Sequence, residues 1–140
     1  MENHFIEYYY IIDKIKEKYS YIRKMEEAMY SLGSITYDKV AGSNGEGRDT
    51  SYYIGEIDEA KKDIVELKKE RARLREQHEQ EISKLKSRKF QSVLRMTYLD
   101  EMRIELVADT LGMSVSNCKK VKTKAEHIFC IVNDLKIGSK

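Results

Sequence analysis

Ile104-Glu105-Leu106-Val107-Ala108-Asp109-Thr110-Leu111-Gly112-Met113-Ser114, followed by Val115-Ser116-Asn117-Cys118-Lys119-Lys120-Val121-Lys122-Thr123-Lys124-Ala125, is the stretch that decides the fold. Apolar residues recur at helical spacing on both sides of Gly112, and the pattern predicts two short helices crossing at a steep angle around a brief turn. Ala108 sits where the two helices come closest, which calls for a small side chain. Gly112 falls at the turn, where a positive φ is wanted. Ser114 precedes the second helix and can cap its free N–H groups. Val107, Leu111, Met113, Cys118 and Val121 are expected to face a shared core, a face that Ala125 and Ile128 continue. Ala-x3-Gly alone is a common chance match. The whole set over about twenty positions is not, and it predicts a helix-turn-helix.

Upstream, Lys89-Phe90-Gln91-Ser92-Val93-Leu94-Arg95-Met96-Thr97-Tyr98-Leu99 places Phe90, Val93, Leu94 and Thr97 on one face of a compact helix that breaks near Asp100-Glu101. From about Val93 to Ile128 the sequence resembles region 4 of bacterial sigma-70 factors. With its N-terminal helices and glycine loop, the whole chain is similar to small phage and mobile-element regulators that carry such a motif after a coiled coil, some of them activators of late or packaging genes. The resemblance implies control of transcription in a bacterial host cell, with RNA polymerase as a further partner. Three departures stand out. Arg103 occupies the position before the first motif helix where sigma proteins have Ser or Thr, leaving Asp100 as an alternative cap. The second helix lacks, in its first turn, the arginine and glutamate that read bases in the family. No melting domain is present.

With Cys118, Val121 and Ala125 turned inward, helical geometry turns the polar residues of the second helix outward. The first residues of a recognition helix reach base edges in the major groove. Ser116, Asn117, Lys119 and Lys120 are therefore the candidates for base readout, with Asn117 able to pair bidentately with adenine and Lys120 able to approach guanine acceptors. Ser114, Lys122, Thr123 and Lys124, with Arg95, Arg103 and Lys89 behind them, are the candidates for phosphate contacts, which position a protein and carry the salt-dependent part of its affinity. Double-stranded DNA is the expected partner.

Towards the N-terminus, Phe5, Tyr8, Ile12, Ile15, Tyr19, Ile22 and Met29 recur at gaps of three and four, with a charged break at Glu26. This is a helical stripe at heptad spacing from about Asn3 to Leu32. Four of the seven glycines fall between positions 33 and 47 and predict a flexible loop over 33–51. Without a Lys-Ser/Thr ending or a preceding strand, it is no phosphate-binding loop. A second helix is expected from about Tyr52 to Lys86, with Ile57, Ile64 and Leu85 on one seam position and Ala60, Leu67 and Leu74 on its neighbour. Arg71 and His78 interrupt that seam. The fold expected is all-α: a long antiparallel helical hairpin (coiled coil) over 1–87, then a sigma region 4-like helix-turn-helix domain over 88–140. A narrow stripe on one hairpin leaves apolar surface uncovered, so a homo-oligomer, dimer or larger, is expected through the N-terminal helices.

Composition agrees. Charged residues make up 36% of the 140, aromatics 9%, and proline is absent, so nothing interrupts long helices. Mean hydropathy is −0.64. Residues 1–83 hold 14 Lys/Arg against 18 Asp/Glu, a net −4, and residues 84–140 hold 12 against 6, a net +6. That segregation suggests an anion-binding C-terminal end. Two cysteines, Cys118 and Cys130, and no apolar run long enough to span a membrane predict a reduced, cytoplasmic protein with no membrane partner. Cys118, His127 and Cys130 do not share a helix face, so no metal site or other cofactor is expected. His4 and His78 lack acidic companions in sequence and read as structural or surface residues. No Ser/His/Asp set, carboxylate dyad or phosphate cradle is visible, which argues against an enzyme.

Two other functions stay open: a DNA-packaging recognition subunit of the small-terminase kind, which usually carries its DNA-binding part first, and an interaction module docking on RNA polymerase without binding DNA.

Overall fold

The computed structural model describes residues 1–38 and 49–135. Among them are five α-helices and no strand: α1 (Ile6–Asp38), α2 (Thr50–Ser83), α3 (Arg88–Leu94), α4 (Ile104–Leu111) and α5 (Val115–Val132). A 3-10 turn, Glu2–Phe5, leads into α1, and a π turn, Arg95–Leu99, extends α3. No helix among the described residues is long and apolar enough to cross a membrane.

The chain divides into two compact units, residues 9–71 and residues 1–8 with 72–140. In the latter unit Phe5 and Tyr8 pack with C-terminal residues. The Phe5 ring stacks on Tyr98 at 4.9 Å, and the Tyr8 hydroxyl donates to the Leu99 carbonyl at 3.3 Å.

In the first unit α1 and α2 run antiparallel. Ile22, Ile57, Ala60 and Ile64 form the seam, with Tyr21, Met25 and Met29 packed against it. Lys18 pairs with Asp63 at 2.8 Å, and the Tyr21 hydroxyl donates to Glu56. Tyr19, expected in the stripe, is instead 45% exposed, and the Lys68 ammonium lies 5.5 Å from its ring centre. A strict heptad drifts around a 3.6-residue helix, so a tyrosine at the edge of the stripe can turn its ring to solvent and keep its hydroxyl wet. Gly33 does not begin the expected loop. Helix α1 continues through Gly33 to Asp38, and α2 already starts at Thr50. One glycine costs a helix about 1 kcal/mol against alanine, less than is needed to stop one already nucleated. Positions 39–48 of the expected loop lie outside the described residues.

In the second unit Ser87 caps α3 by accepting from the Phe90 N–H at 3.2 Å. The helix buries Val93, Leu94, Tyr98 and Leu99 and ends at Asp100, with Glu101 at φ 52°. A second core follows: Val93, Val107, Ala108 and Cys118, surrounded by Met96, Met102, Ile104, Leu111, Met113, Val115 and Val121. Ala125 is fully buried as expected. Ile128, however, is only half-buried, and it is Phe129, one position on, that is fully enclosed.

The turn between α4 and α5 consists of Gly112, Met113 and Ser114. Gly112 is left-handed at φ 70°, its N–H donates to the Asp109 carbonyl at 3.2 Å, and the Met113 N–H donates to the Ala108 carbonyl at 2.9 Å. These two bonds make a Schellman motif. A Cβ built on Gly112 meets nothing within 4 Å, so crowding does not require glycine and backbone conformation does. Gly112→Ala is expected to cost about 1–2 kcal/mol, and Gly112→Asn less, because asparagine tolerates this region. Denaturant unfolding followed by circular dichroism measures both.

Candidate nucleic-acid interface

Helix α5 is held on one side and open on the other. Ser114 begins it with φ −70° and ψ 156°, and its hydroxyl oxygen accepts from the Asn117 N–H at 3.1 Å. Cys118, Ala125 and Phe129 fix the inner face. Burial pushes the Cys118 thiol pKa up, while the nearby Lys122 charge acts in the other direction. The thiol therefore stays protonated and packs as a small apolar group.

The residues expected to read bases all lie on the open side: Ser116, Asn117, Lys119 and Lys120 are exposed. Thr123 and Lys124 join them, and Asn117, Lys119, Lys120, Val121, Thr123 and Lys124 line one open depression along the helix. Lys119, Lys120 and Lys124 have no acidic partner among the described residues. The Thr123 hydroxyl donates to the Lys119 carbonyl one turn back at 3.0 Å, leaving its oxygen able to accept. With no acidic residue in its first turn, α5 directs its positive dipole end and its lysines to the same region.

The residues expected to contact phosphate do not all join this face. Lys89 and Arg103 are exposed. Arg95 is half-buried, and its Nε lies 2.8 and 3.1 Å from the two carboxylate oxygens of Glu79. Lys122 lies 3.1 Å from Glu126 and 5.9 Å from the Tyr98 ring centre, and Tyr98 donates its hydroxyl to the same carboxylate. Both cations are thus already matched by a carboxylate. Asp100 does not cap α4. It pairs with Arg75 at 2.9 Å, and Arg103 occupies the cap position without a side-chain bond.

One cluster departs from the sequence reading altogether. His4 and His78 do have an acidic companion, Glu81. Its Oε1 lies 2.8 Å from His4 Nε2 and 2.7 Å from His78 Nδ1. The available signal was His78 at a seam position with Glu81 three residues on, one helical turn apart on the same face. Nothing local points to His4. The cysteines do not form a comparable group: Cys130 Sγ is 3.7 Å from Met1 Sδ, and His127 is exposed.

Neither a curated protein nor a solved structure matches the chain. A family model does, over residues 29–129, a range running from the later part of α1 almost to the end of α5. On that match the chain belongs to the family described as protein of unknown function, DUF1492.

Proposed function

We propose that this chain is a sequence-specific DNA-binding regulator of transcription, with α4, the Gly112 turn and α5 acting as a helix-turn-helix of the sigma region 4 kind. The observation that carries the reading is the open face of α5, where Lys119, Lys120 and Lys124 stand without acidic partners among the described residues, beside exposed Ser116, Asn117 and Thr123. On this reading α5 enters the major groove, Asn117 and Lys120 meet base edges, and Lys124 with the exposed Lys89 and Arg103 meets phosphate. The engaged Arg95 and Lys122 support the scaffold instead. The sequence likeness to phage and mobile-element regulators supports a target near late or packaging genes.

Oligomerisation through the N-terminal helices belongs to the same reading. Tyr30 and Val65, exposed by 73% and 51%, leave apolar surface on α1 and α2 for a second copy to cover. Two copies would read two half-sites and add to the modest base contacts of one α5.

Fluorescence anisotropy of the full chain on duplexes from its own upstream DNA tests the proposal. Asn117→Ala is expected to reduce discrimination between the preferred and a scrambled duplex by about 1–3 kcal/mol, with little change in non-specific affinity. Absence of duplex binding at low salt by the intact oligomer overturns the reading.

A further inference from the structure

We infer that His4, His78 and Glu81 form a binding site for a first-row divalent metal ion, with zinc the leading occupant. Each residue offers one donor atom, and the three donors lie within 4.8 Å of one another. They arrive from two separate parts of the chain: His4 from the 3-10 turn at the N-terminus, His78 and Glu81 from the last turns of α2. Two imidazole nitrogens and one carboxylate oxygen are a donor set suited to zinc, with a fourth position left for water.

Burial and charge favour a cation here. The side chains of His78 and Glu81 are 4% and 17% exposed, and that of His4 is 23% exposed. Around them stand aromatic rings: Phe5 lies 4.5 Å from the His78 ring and 5.3 Å from His4, and Phe129 lies 5.7 Å from His4. No lysine or arginine pairs with Glu81 among the described residues. A largely enclosed carboxylate without a permanent cation is costly, and a divalent ion supplies the missing charge. The partial exposure of His4 leaves a path for the ion and for its water.

Geometry requires little change. Tetrahedral zinc at its usual bond lengths holds its donors about 3.3 Å apart. The two hydrogen-bonded pairs, now at 2.8 and 2.7 Å, open slightly, and the third separation closes by side-chain rotation. A ring nitrogen that binds the ion carries no proton, and the other nitrogen of the same ring can hold one. Through the ring contact of His4 with Phe129, an occupied site braces the N-terminal turn against α5. The site stands apart from the lysine face and does not depend on the DNA-binding reading.

The test uses the full chain, stripped of metal with a chelator and titrated calorimetrically with Zn²⁺, and separately with Co²⁺ under visible absorption. One equivalent per chain is expected, with a rise in melting temperature and Co²⁺ bands of a nitrogen and oxygen ligand field. His4→Gln and Glu81→Gln are each expected to weaken Zn²⁺ binding by more than about 100-fold, since even partners outside the ligand shell cost 10–100-fold. His127→Ala, at an exposed position, leaves it unchanged. Circular dichroism checks that each variant is folded. Absence of one-to-one binding by the wild-type chain overturns the inference, and so does an intense thiolate-to-cobalt band, which would assign the ion to the cysteines. Unaltered affinity in both folded variants overturns it as well.

Discussion

Phe129→Ala is expected to remove about 3–5 kcal/mol from the stability of the unit formed by residues 1–8 and 72–140. Phe129 has no exposed surface, and it lies 6.0 Å from the Phe5 ring and 5.7 Å from His4. Phe5 is equally buried and stacks on Tyr98, so these rings hold one another in place. Removing one leaves a cavity that its neighbours cannot close without giving up their own packing, which sets the cost near the upper part of that range. Denaturant unfolding of wild type and variant, monitored by circular dichroism, reads the difference as a shift in midpoint. A loss below about 1 kcal/mol would mean that Phe129 is not enclosed. Ile128→Ala, at a half-buried neighbouring position, serves as the internal comparison and is expected to cost clearly less.

The second large effect concerns charge. Combined replacement of Lys119, Lys120 and Lys124 by alanine is expected to lower duplex affinity by roughly 10²–10³-fold at 0.1 M salt. Each cation that neutralises a phosphate adds about 0.9 to the slope of log K against log salt, so losing Lys124, the phosphate contact of the three, flattens it by about 0.9, while Lys119 and Lys120 act mainly on base readout. The deficit should shrink steadily towards 1 M salt, where counterion release contributes little. All three side chains are exposed, so the folded state loses no packing and unfolding midpoints should barely move. Lys122→Ala behaves differently. Its ammonium is already matched by Glu126 at 3.1 Å, so the salt slope should change little. An unchanged slope in the triple variant would remove α5 from the DNA-binding face.

Some structure was legible in the sequence because its causes are local. A heptad stripe announced two long helices, and Ala108, Gly112 and Ser114 marked a turn. A left-handed residue, a small contact residue and a capping hydroxyl each act within four residues of themselves. The outward set Ser116, Asn117, Lys119 and Lys120 followed from the same local arithmetic once Cys118 was turned inward.

Other features depended on which segments meet. Arg95 looked like a spare cation until Glu79, sixteen residues earlier, was found 2.8 Å away. Asp100 looked like a helix cap until Arg75 claimed it. The choice between Ile128 and Phe129 turned on a helical phase of about 100°, which the docking of α5 against the N-terminal residues decides.

By itself, the sequence determined an all-helical chain, the brief turn at Gly112 and the polarity of α5, since helix propensity, positive φ and side-chain direction are properties of neighbouring residues. Only the tertiary structure decided which cations are matched by a carboxylate and which histidines share one. His4 and Glu81 are 77 positions apart, and nothing in either neighbourhood encodes the other. Their meeting is fixed by how the first residues of the chain pack beside the end of α2, a matter of buried surface and not of local pattern.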